Sequence, residues 1–543
     1  MRRQIRLPLQ EAGSEGEVTQ EQCDNRNGAE QASAPGKWAS RPFLRSHAGG
    51  IIALLCLYAG LRILIFAAAF PTFNNVDEQF HLLSIRMYAL GQWPNKELPS
   101  VDYESAKLFA LYGTTEYFVS PQRMERFHLR APLYQLSPQE ADPYLAASIL
   151  RWLERPDFEA QSTPLYYLLG AAWYRIGEAL GMRAWEIPYW IRFLNPAAYV
   201  LLIWASYRFV RTVYPDRIFL WLGVPALLAV FPQDVYFGIS RDVLSAPIAA
   251  VALLLIVKTV NGENSRVWLP IAASMLVGLA FLGNVSNIVL YGALALTLWF
   301  WTRRSTASRV ATTSVALAAV VAAGTLPAVW MLRNYAVMGD LIGSRAKVEY
   351  LGWTMKPIGQ LFDHPLFSFG GLSYFLANLT RTFWRGEYVW HGQPMRWPPA
   401  DWFYLLSSCL MVLVFTLQYF RRRKHSRFIE RFAEFQVLFL VLASVLFMAA
   451  ISLPFDFHDC FYPSRAHPFF ISGRIISCVL PPFALIYVSA LESLLRPLRK
   501  WISPATVLCC LLLFISITEF QVRRNVFSSP NNFFAFRAWR QSH

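Results

Sequence analysis

Apolar runs of about 20 residues recur along the chain, and that length is what an α-helix needs to cross ~30 Å of hydrocarbon. The first covers about residues 46–70, and others centre on 190–210, 218–233, 243–260, 267–284, 286–302, 311–332, 402–420, 434–453, 472–492 and 502–520. Two long stretches, 71–185 and 333–400, separate these runs, with a shorter one at 454–470. Residues 1–45 are rich in Gln, Glu, Gly and Ser and lack periodicity, which predicts a disordered tail before a transmembrane domain over 46–520, with a second tail at 521–543. No period of 20–50 residues recurs, so a solenoid is excluded.

The number of crossings turns on residues 164–180, which are apolar but contain Arg175 and Glu178. If this stretch spans, every later segment inverts. Arg208, Arg211 and Arg217, then Lys258 and Arg266, Arg303, Arg304 and Arg309, Arg421 to Lys424, and Arg496, Arg499 and Lys500 would then face outward. If it lies along the interface, all of these clusters fall on the cytoplasmic side, as the positive-inside rule demands. The second arrangement gives an all-α polytopic membrane protein with about eleven transmembrane helices, interfacial helices in a long first outer loop, a cytoplasmic amino terminus and an outer carboxyl terminus.

Composition agrees: 55% of the 543 residues are hydrophobic, 15% aromatic and only 16% charged. The formal charge of +15 sits in short clusters beside apolar runs, which suits loops held against an anionic leaflet and not nucleic acid. The seven cysteines show neither metal-ligand spacing nor a disulfide framework. Ala67-Ala68-Ala69 has the look of a signal-peptidase site, but the polar region before the first run is too long for a signal peptide, so a retained anchor is expected. Arg62 inside that run should face protein or water, or snorkel to the interface.

Candidate chemistry begins where the first run ends, at Pro71-Thr-Phe-Asn-Asn-Val-Asp-Glu-Gln-Phe-His81. On a helix Asp77 and Glu78 would share a face with His81. Such a face could present a proton acceptor to a membrane-bound substrate; an acidic turn that merely caps the span would look the same. Under the predicted topology Arg192, Asp234, Arg241, Asp242, Arg333, Asn334, Asp340 and Arg465 fall on the same outer side, with Arg474 just inside a span. Each has a plainer reading as an interfacial anchor or helix cap. The motif Asp-Glu-x-x-His lacks the first histidine of a zinc peptidase, so that activity is excluded.

In their order these elements resemble the GT-C superfamily of multi-pass glycosyltransferases, which take a sugar from a polyprenyl-phosphate carrier. The acidic pair after the first span, here Asp77-Glu78, is similar to that of a less characterised bacterial branch with Pro-Asp-Glu-x-x-His, Val76 replacing the proline. Pro164-Leu165-Tyr166-Tyr167, Arg192, Ser240-Arg241-Asp242, Arg333-Asn334-Tyr335 with Gly339-Asp340, and Gly473-Arg474 before Pro481-Pro482 resemble further motifs of that group. Ile475 stands where Tyr is usual, and Asn284 where many relatives carry Lys.

The resemblance implies transfer of a sugar from polyprenyl phosphate to an envelope glycan or lipid acceptor on the outer face of the cytoplasmic membrane. Such a reaction needs a base for the acceptor proton, with Asp77 the candidate and Glu78 its substitute. It also needs cations for the leaving phosphate, with Arg192, Arg241, Arg333 and Arg474 the candidates. His81, Tyr166, Asp242 and Asn334 complete the expected substrate site, and Asp242 would orient an arginine or help a magnesium or manganese ion that no spacing demands. Phe383-Trp384-Arg385-Gly-Glu387-Tyr388-Val-Trp390 suits sugar stacking or a loop lying on headgroups. The rival classes are a transporter or lipid flippase, for which neither an internal repeat nor paired broken helices are found, and a non-catalytic scaffold for envelope assembly.

Overall fold

The computed structural model describes residues 42–73, 77–113, 117, 133–261, 266–421, 427–460 and 462–542. These residues fold almost entirely as helices. The long first helix is α1 (Pro42–Ala69), followed by the short α2 (Glu78–Ala89), α3 (Tyr103–Tyr112), α4 (Pro138–Leu153), α5 (Leu165–Ala179) and α6 (Ile187–Arg192). The main bundle continues with α7 (Asn195–Val213), α8 (Ile218–Ala229), α9 (Ser245–Val260), α10 (Trp268–Gly283), α11 (Val289–Arg304) and α12 (Arg309–Met338). A second loop region carries α13 (Arg345–Tyr350) and α14 (Phe369–Arg385), and the chain closes with α15 (Pro398–Arg421), α16 (Phe428–Ser452), α17 (Leu480–Leu494), α18 (Pro504–Arg523) and α19 (Phe533–Ser542). Among the described residues, strands are limited to two two-residue pairs, 354–355 with 455–456 and 389–390 with 393–394.

Among the described residues, eight helical stretches are long and apolar enough to cross a membrane: Arg45–Ala69, Arg241–Val260, Val285–Arg304, Arg309–Met338, Pro398–Arg421, Phe428–Ser452, Gly473–Leu494 and Pro504–Ala538. The remaining predicted spans are the helices α7, α8 and α10. At 12 residues, α8 is ~18 Å long and at 16 residues α10 is ~24 Å long, short of the hydrocarbon thickness. The chain stops α8 just before Pro232, and α10 ends at Asn284, whose side chain caps the next 3-10 turn by accepting from Ser286 N at 3.0 Å. Buried most completely are the spans containing α9 and α17, apolar on every side, whereas α12 and α15 expose most of their surface, as lipid-facing helices do.

Ion pairs define one end of the bundle. Asp216, in the α7–α8 turn, faces Arg45 at 3.5 Å and Arg427 at 3.8 Å, and Glu492 near the end of α17 holds Arg217 at 2.5 Å and Arg499 at 3.0 Å. Arg304 lies over the Phe428 ring at 3.8 Å, so the α11 terminus joins the same end. Much of the predicted basic clustering therefore converges there. At the other end of α1, Arg192 donates to the carbonyls of Ala67, Phe70 and Pro71 at 2.9, 2.5 and 2.7 Å.

The chain thus leaves α1 at residue 70 and is back at the same end by residue 192. A single crossing between them is therefore impossible, and α5, 15 residues and ~22 Å long, does not make one. It packs on α2 instead, where Gly170 lets Ile85 approach: a Cβ there would come within 2.8 Å of the Ile85 side chain. Trp173 and Trp190 stack at 4.3 Å and exchange indole-to-carbonyl hydrogen bonds of 2.7 and 2.8 Å, fixing the turn into α6.

Two predicted boundaries are corrected. Of the tail assigned to 1–45, residues 1–41 lie outside the described residues and 42–45 already belong to α1. The tail assigned to 521–543 is instead integral: α18 runs to Arg523, and α19 brings Phe536 into a buried cluster with Trp185 and Tyr189. Tyr134 and Tyr189 donate to the carbonyls of Pro530 and Asn531 at 2.7 and 3.0 Å, so aromatic burial orders a segment with little apolar length. Arg62 does not snorkel. It is buried against Glu519 of α18, which also takes Arg523.

Candidate functional site

At the end of the bundle opposite the basic turns, the neighbouring carboxylates of Asp77 and Glu78 are used in different ways. Glu78 and Arg192 have 0% side-chain exposure and form a bidentate pair, Nε to Oε1 and Nη2 to Oε2 both at 2.6 Å. The Glu78 oxygens also accept from Phe73 N at 2.7 Å and Ile239 N at 2.9 Å. With the three carbonyls that Arg192 holds, this pair fastens the end of α1 to α2, α6 and the 238–240 turn. Both residues face protein on all sides, so the structure gives the expected substitute base and the expected phosphate ligand to each other.

Asp77 points elsewhere because its backbone is left-handed, φ 61° and ψ 22°, a conformation that Asp tolerates better than most residues. It precedes α2, yet its side chain makes no capping hydrogen bond, so the plain helix-cap reading does not hold. Half-buried, the carboxylate lies in the field of Glu159, Lys347, Arg474 and Arg241. Burial, with Glu159 adding to it, pushes its pKa up; the three cations pull against that without cancelling it.

Three distant segments deliver those cations. Arg241 stands 3.3 Å from Glu159, and Lys347 also bonds Glu159. Arg474 donates to Asp242 Oδ2 at 2.6 Å and to Glu387 Oε2 at 3.2 Å, while Asn284 Nδ2 reaches Asp242 Oδ1 at 2.5 Å. Each cation is anchored by a carboxylate yet keeps an open side: 26% of the Arg241 side chain, 27% of Lys347 and 18% of Arg474 remain accessible. Burial pushes the Glu159 carboxyl up, but Lys347 and Arg241 outweigh it and hold the group well below the usual range, so it is an anion.

His81 is buried on α2 with Nδ1 at 2.9 Å from Tyr167 Oη, and burial lowers its pKa to about 4, leaving a neutral imidazole. Tyr166 is fully buried near the backbone of Ser240 and supports the site from behind. Arg333 and Asn334 take no part in the charge cluster. Arg333 bonds the Pro94 carbonyl and Asn334 Oδ1, and buried Asn334 reaches the Leu341 carbonyl at 3.5 Å, so both residues tie α12 to loops.

Glu159 and Lys347 were not anticipated. Lys347 is presented by α13, whose entry is folded by Asp340 accepting from the backbone of Ile342, Ser344 and Arg345 at 3.1, 2.6 and 2.8 Å. Gly343, at φ +71°, passes so near the Gln161 carbonyl that a Cβ would sit 2.7 Å from it. The Gly339-Asp340 motif was the visible signal, but it acts through the turn that it folds.

Beside the cluster, an apolar groove of about 490 Å³ runs between α14, α15, α16 and the start of α17, lined by Leu379, Phe383, Val412, Val445, Ile476 and Phe483. Ile476 brings the groove within two residues of Arg474. Among the described residues no three His, Cys, Asp or Glu side chains converge, and Asp242 has one oxygen on Asn284 and one on Arg474.

The fold defines an all-helical, multi-pass membrane protein. No protein-family model matches the chain, and no curated protein matches it. Among solved structures it is similar to the oligosaccharyltransferase of Archaeoglobus fulgidus, crystallised with zinc and sulfate, at 12% identity and a TM-score of 0.40, over 88% of this chain and 53% of that one. The chain spans about half the length of that protein.

Proposed function

We propose that the protein is a membrane glycosyltransferase that moves a sugar from polyprenyl phosphate to a hydroxyl of an envelope glycan or lipid. One observation carries this reading: a carboxylate without a hydrogen bond or ion pair among the described residues, Asp77, lies in the field of three anchored cations, one of which, Arg474, stands two residues from the lining of an apolar groove. The polyprenyl chain would lie in the groove between α14 and α16. Its phosphate would meet the open sides of Arg474, Arg241 and Lys347, which their carboxylate partners hold in place before the substrate arrives.

Asp77 takes the proton from the acceptor hydroxyl as that oxygen attacks the anomeric carbon. The bond from the anomeric carbon to the phosphate oxygen breaks on the opposite side, leaving polyprenyl phosphate with the negative charge that the guanidinium and ammonium groups face. Direct displacement inverts the anomeric centre. A raised pKa makes Asp77 a stronger base once ionised, and neutral His81 adds no competing charge. The site lies opposite the basic turns, which supports an active face outside the cytoplasmic membrane.

The test is donor consumption by purified protein given labelled polyprenyl-phosphate sugars. Wild type should release polyprenyl phosphate, and Asp77→Asn should lower the rate by roughly 10²–10⁴-fold with folding unchanged. An active Asp77→Asn variant overturns the assignment of the base. Movement of intact donor across a liposome membrane without consumption would identify a transporter instead.

A further inference from the structure

A second groove, of about 210 Å³, opens at the end of the bundle opposite the candidate site, between α8, α17 and α18. Its walls are apolar, including Phe219, Leu222, Ala226, Ala505, Leu508 and Leu512. Its mouth is strongly charged. Glu492 accepts from Arg217 Nη2 at 2.5 Å and from Arg499 Nη2 at 3.0 Å, so two guanidinium groups share one carboxylate, and Glu492 and Arg499 themselves line the groove. Arg496 and Lys500 are exposed on the same turn, which also exposes Trp501 at 87% together with Leu498 and Ile502.

An apolar slot ending in surplus positive charge, with a tryptophan and aliphatic side chains at its rim, complements one kind of ligand: a lipid whose tail fills the slot and whose headgroup bears net negative charge. We propose that this groove binds an anionic phospholipid, one acyl chain between α8 and α18 and the phosphate on Arg499, Arg496 and Lys500. Glu492 holds Arg499 at the rim, so the guanidinium fork is set before the lipid arrives. A zwitterionic lipid offers the same phosphate, but its ammonium meets the surplus cations. The site is independent of the transfer reaction proposed above and shares no residue with it.

Native mass spectrometry of the full-length protein, equilibrated with equal amounts of phosphatidylglycerol and phosphatidylcholine of the same acyl chains, tests this. Wild type should retain phosphatidylglycerol over phosphatidylcholine by about tenfold. The triple variant R496Q/R499Q/K500Q should bring that ratio towards one, and Ala505→Phe, which fills the slot, should lower retention of both lipids while the charges stay. If the triple variant does not fold, the Ala505→Phe arm decides alone. Equal retention of the two lipids by wild type means an annular lipid only and overturns the proposal, as does undiminished retention in Ala505→Phe. Displacement of phosphatidylglycerol by millimolar inorganic phosphate would show a free-anion site and overturn it too.

Discussion

Glu78→Gln tests whether the adjacent carboxylates have separate jobs. The substitution keeps the shape of the side chain, but it removes the charge facing Arg192 and turns one oxygen that accepts hydrogen bonds into an amide that donates them. Two of four contacts are lost: the oxygen that becomes an amide nitrogen gives up one bond from Arg192 at 2.6 Å and one backbone bond, from Ile239 at 2.9 Å or Phe73 at 2.7 Å, while the other oxygen keeps its pair without the charge. A guanidinium with 0% exposure is left with carbonyl partners alone, and an uncompensated buried charge costs about 3–5 kcal/mol. For a chain of this size, at about 1 °C per kcal/mol, that is a fall of about 3–5 °C in apparent Tm. Arg192→Met should fall by a similar amount, and the double variant E78Q/R192M should recover part of the loss, because neither charge is then stranded. The assay is thermal unfolding in one detergent at one scan rate, since unfolding of such proteins is kinetically controlled. Wild-type Tm in Glu78→Gln combined with lost transfer would refute the division of roles and return Glu78 to the chemistry.

Two further outcomes are expected. The two buried groups oppose one another with pH: His81, lowered by burial from 6.5 to about 4, contributes stability present above its unfolded pKa and lost as pH falls through that window, whereas Asp157, raised by burial from 3.8 to about 8, contributes stability fully present below its unfolded pKa and lost progressively as pH rises to about 8. Asp157→Asn should flatten the alkaline limb in a Tm series from pH 4 to 9, and an unchanged limb would exclude that carboxyl as its source. Gly473→Ala places a Cβ 2.1 Å from Phe383 N and 2.2 Å from its Cα, so the 382–383 backbone must shift and Glu387 with it. A Tm loss of about 1–3 kcal/mol equivalent is expected, and unaltered Tm and transfer would mean that this close approach is not needed.

Much of the architecture was legible because membrane spans are written in composition. Uninterrupted apolar length located the long helices, and the flanking arginines favoured laying 164–180 along the interface over a crossing. Shortened elements were harder. Nothing in the hydropathy of 218–233 says that α8 stops at Ala229, because the residues that follow its end are as apolar as those within it. At the site, periodicity placed Asp77 and Glu78 together but could not reveal the left-handed residue that turns one carboxylate towards the cations and leaves the other with Arg192. Lys347 escaped notice because its partner, Glu159, lies 188 positions away in a different loop. The aromatic 521–543 segment gave little apolar length, although Phe533 and Phe536 stand three apart on one helical face and meet Trp185 and Tyr189.

Because Arg474 arrives 232 positions after the Asp242 that it neutralises, the ribosome delivers the acid long before the base. Until the helix beginning at Gly473 inserts, the earlier bundle carries an Asp242 whose partner has not been made, in a place that is almost fully enclosed once folding ends. Synthesis therefore delivers the parts of this cluster out of order: a nascent polypeptide that ends before the penultimate long helix has Asp242 and Asn284 but lacks the guanidinium that pairs with the acid.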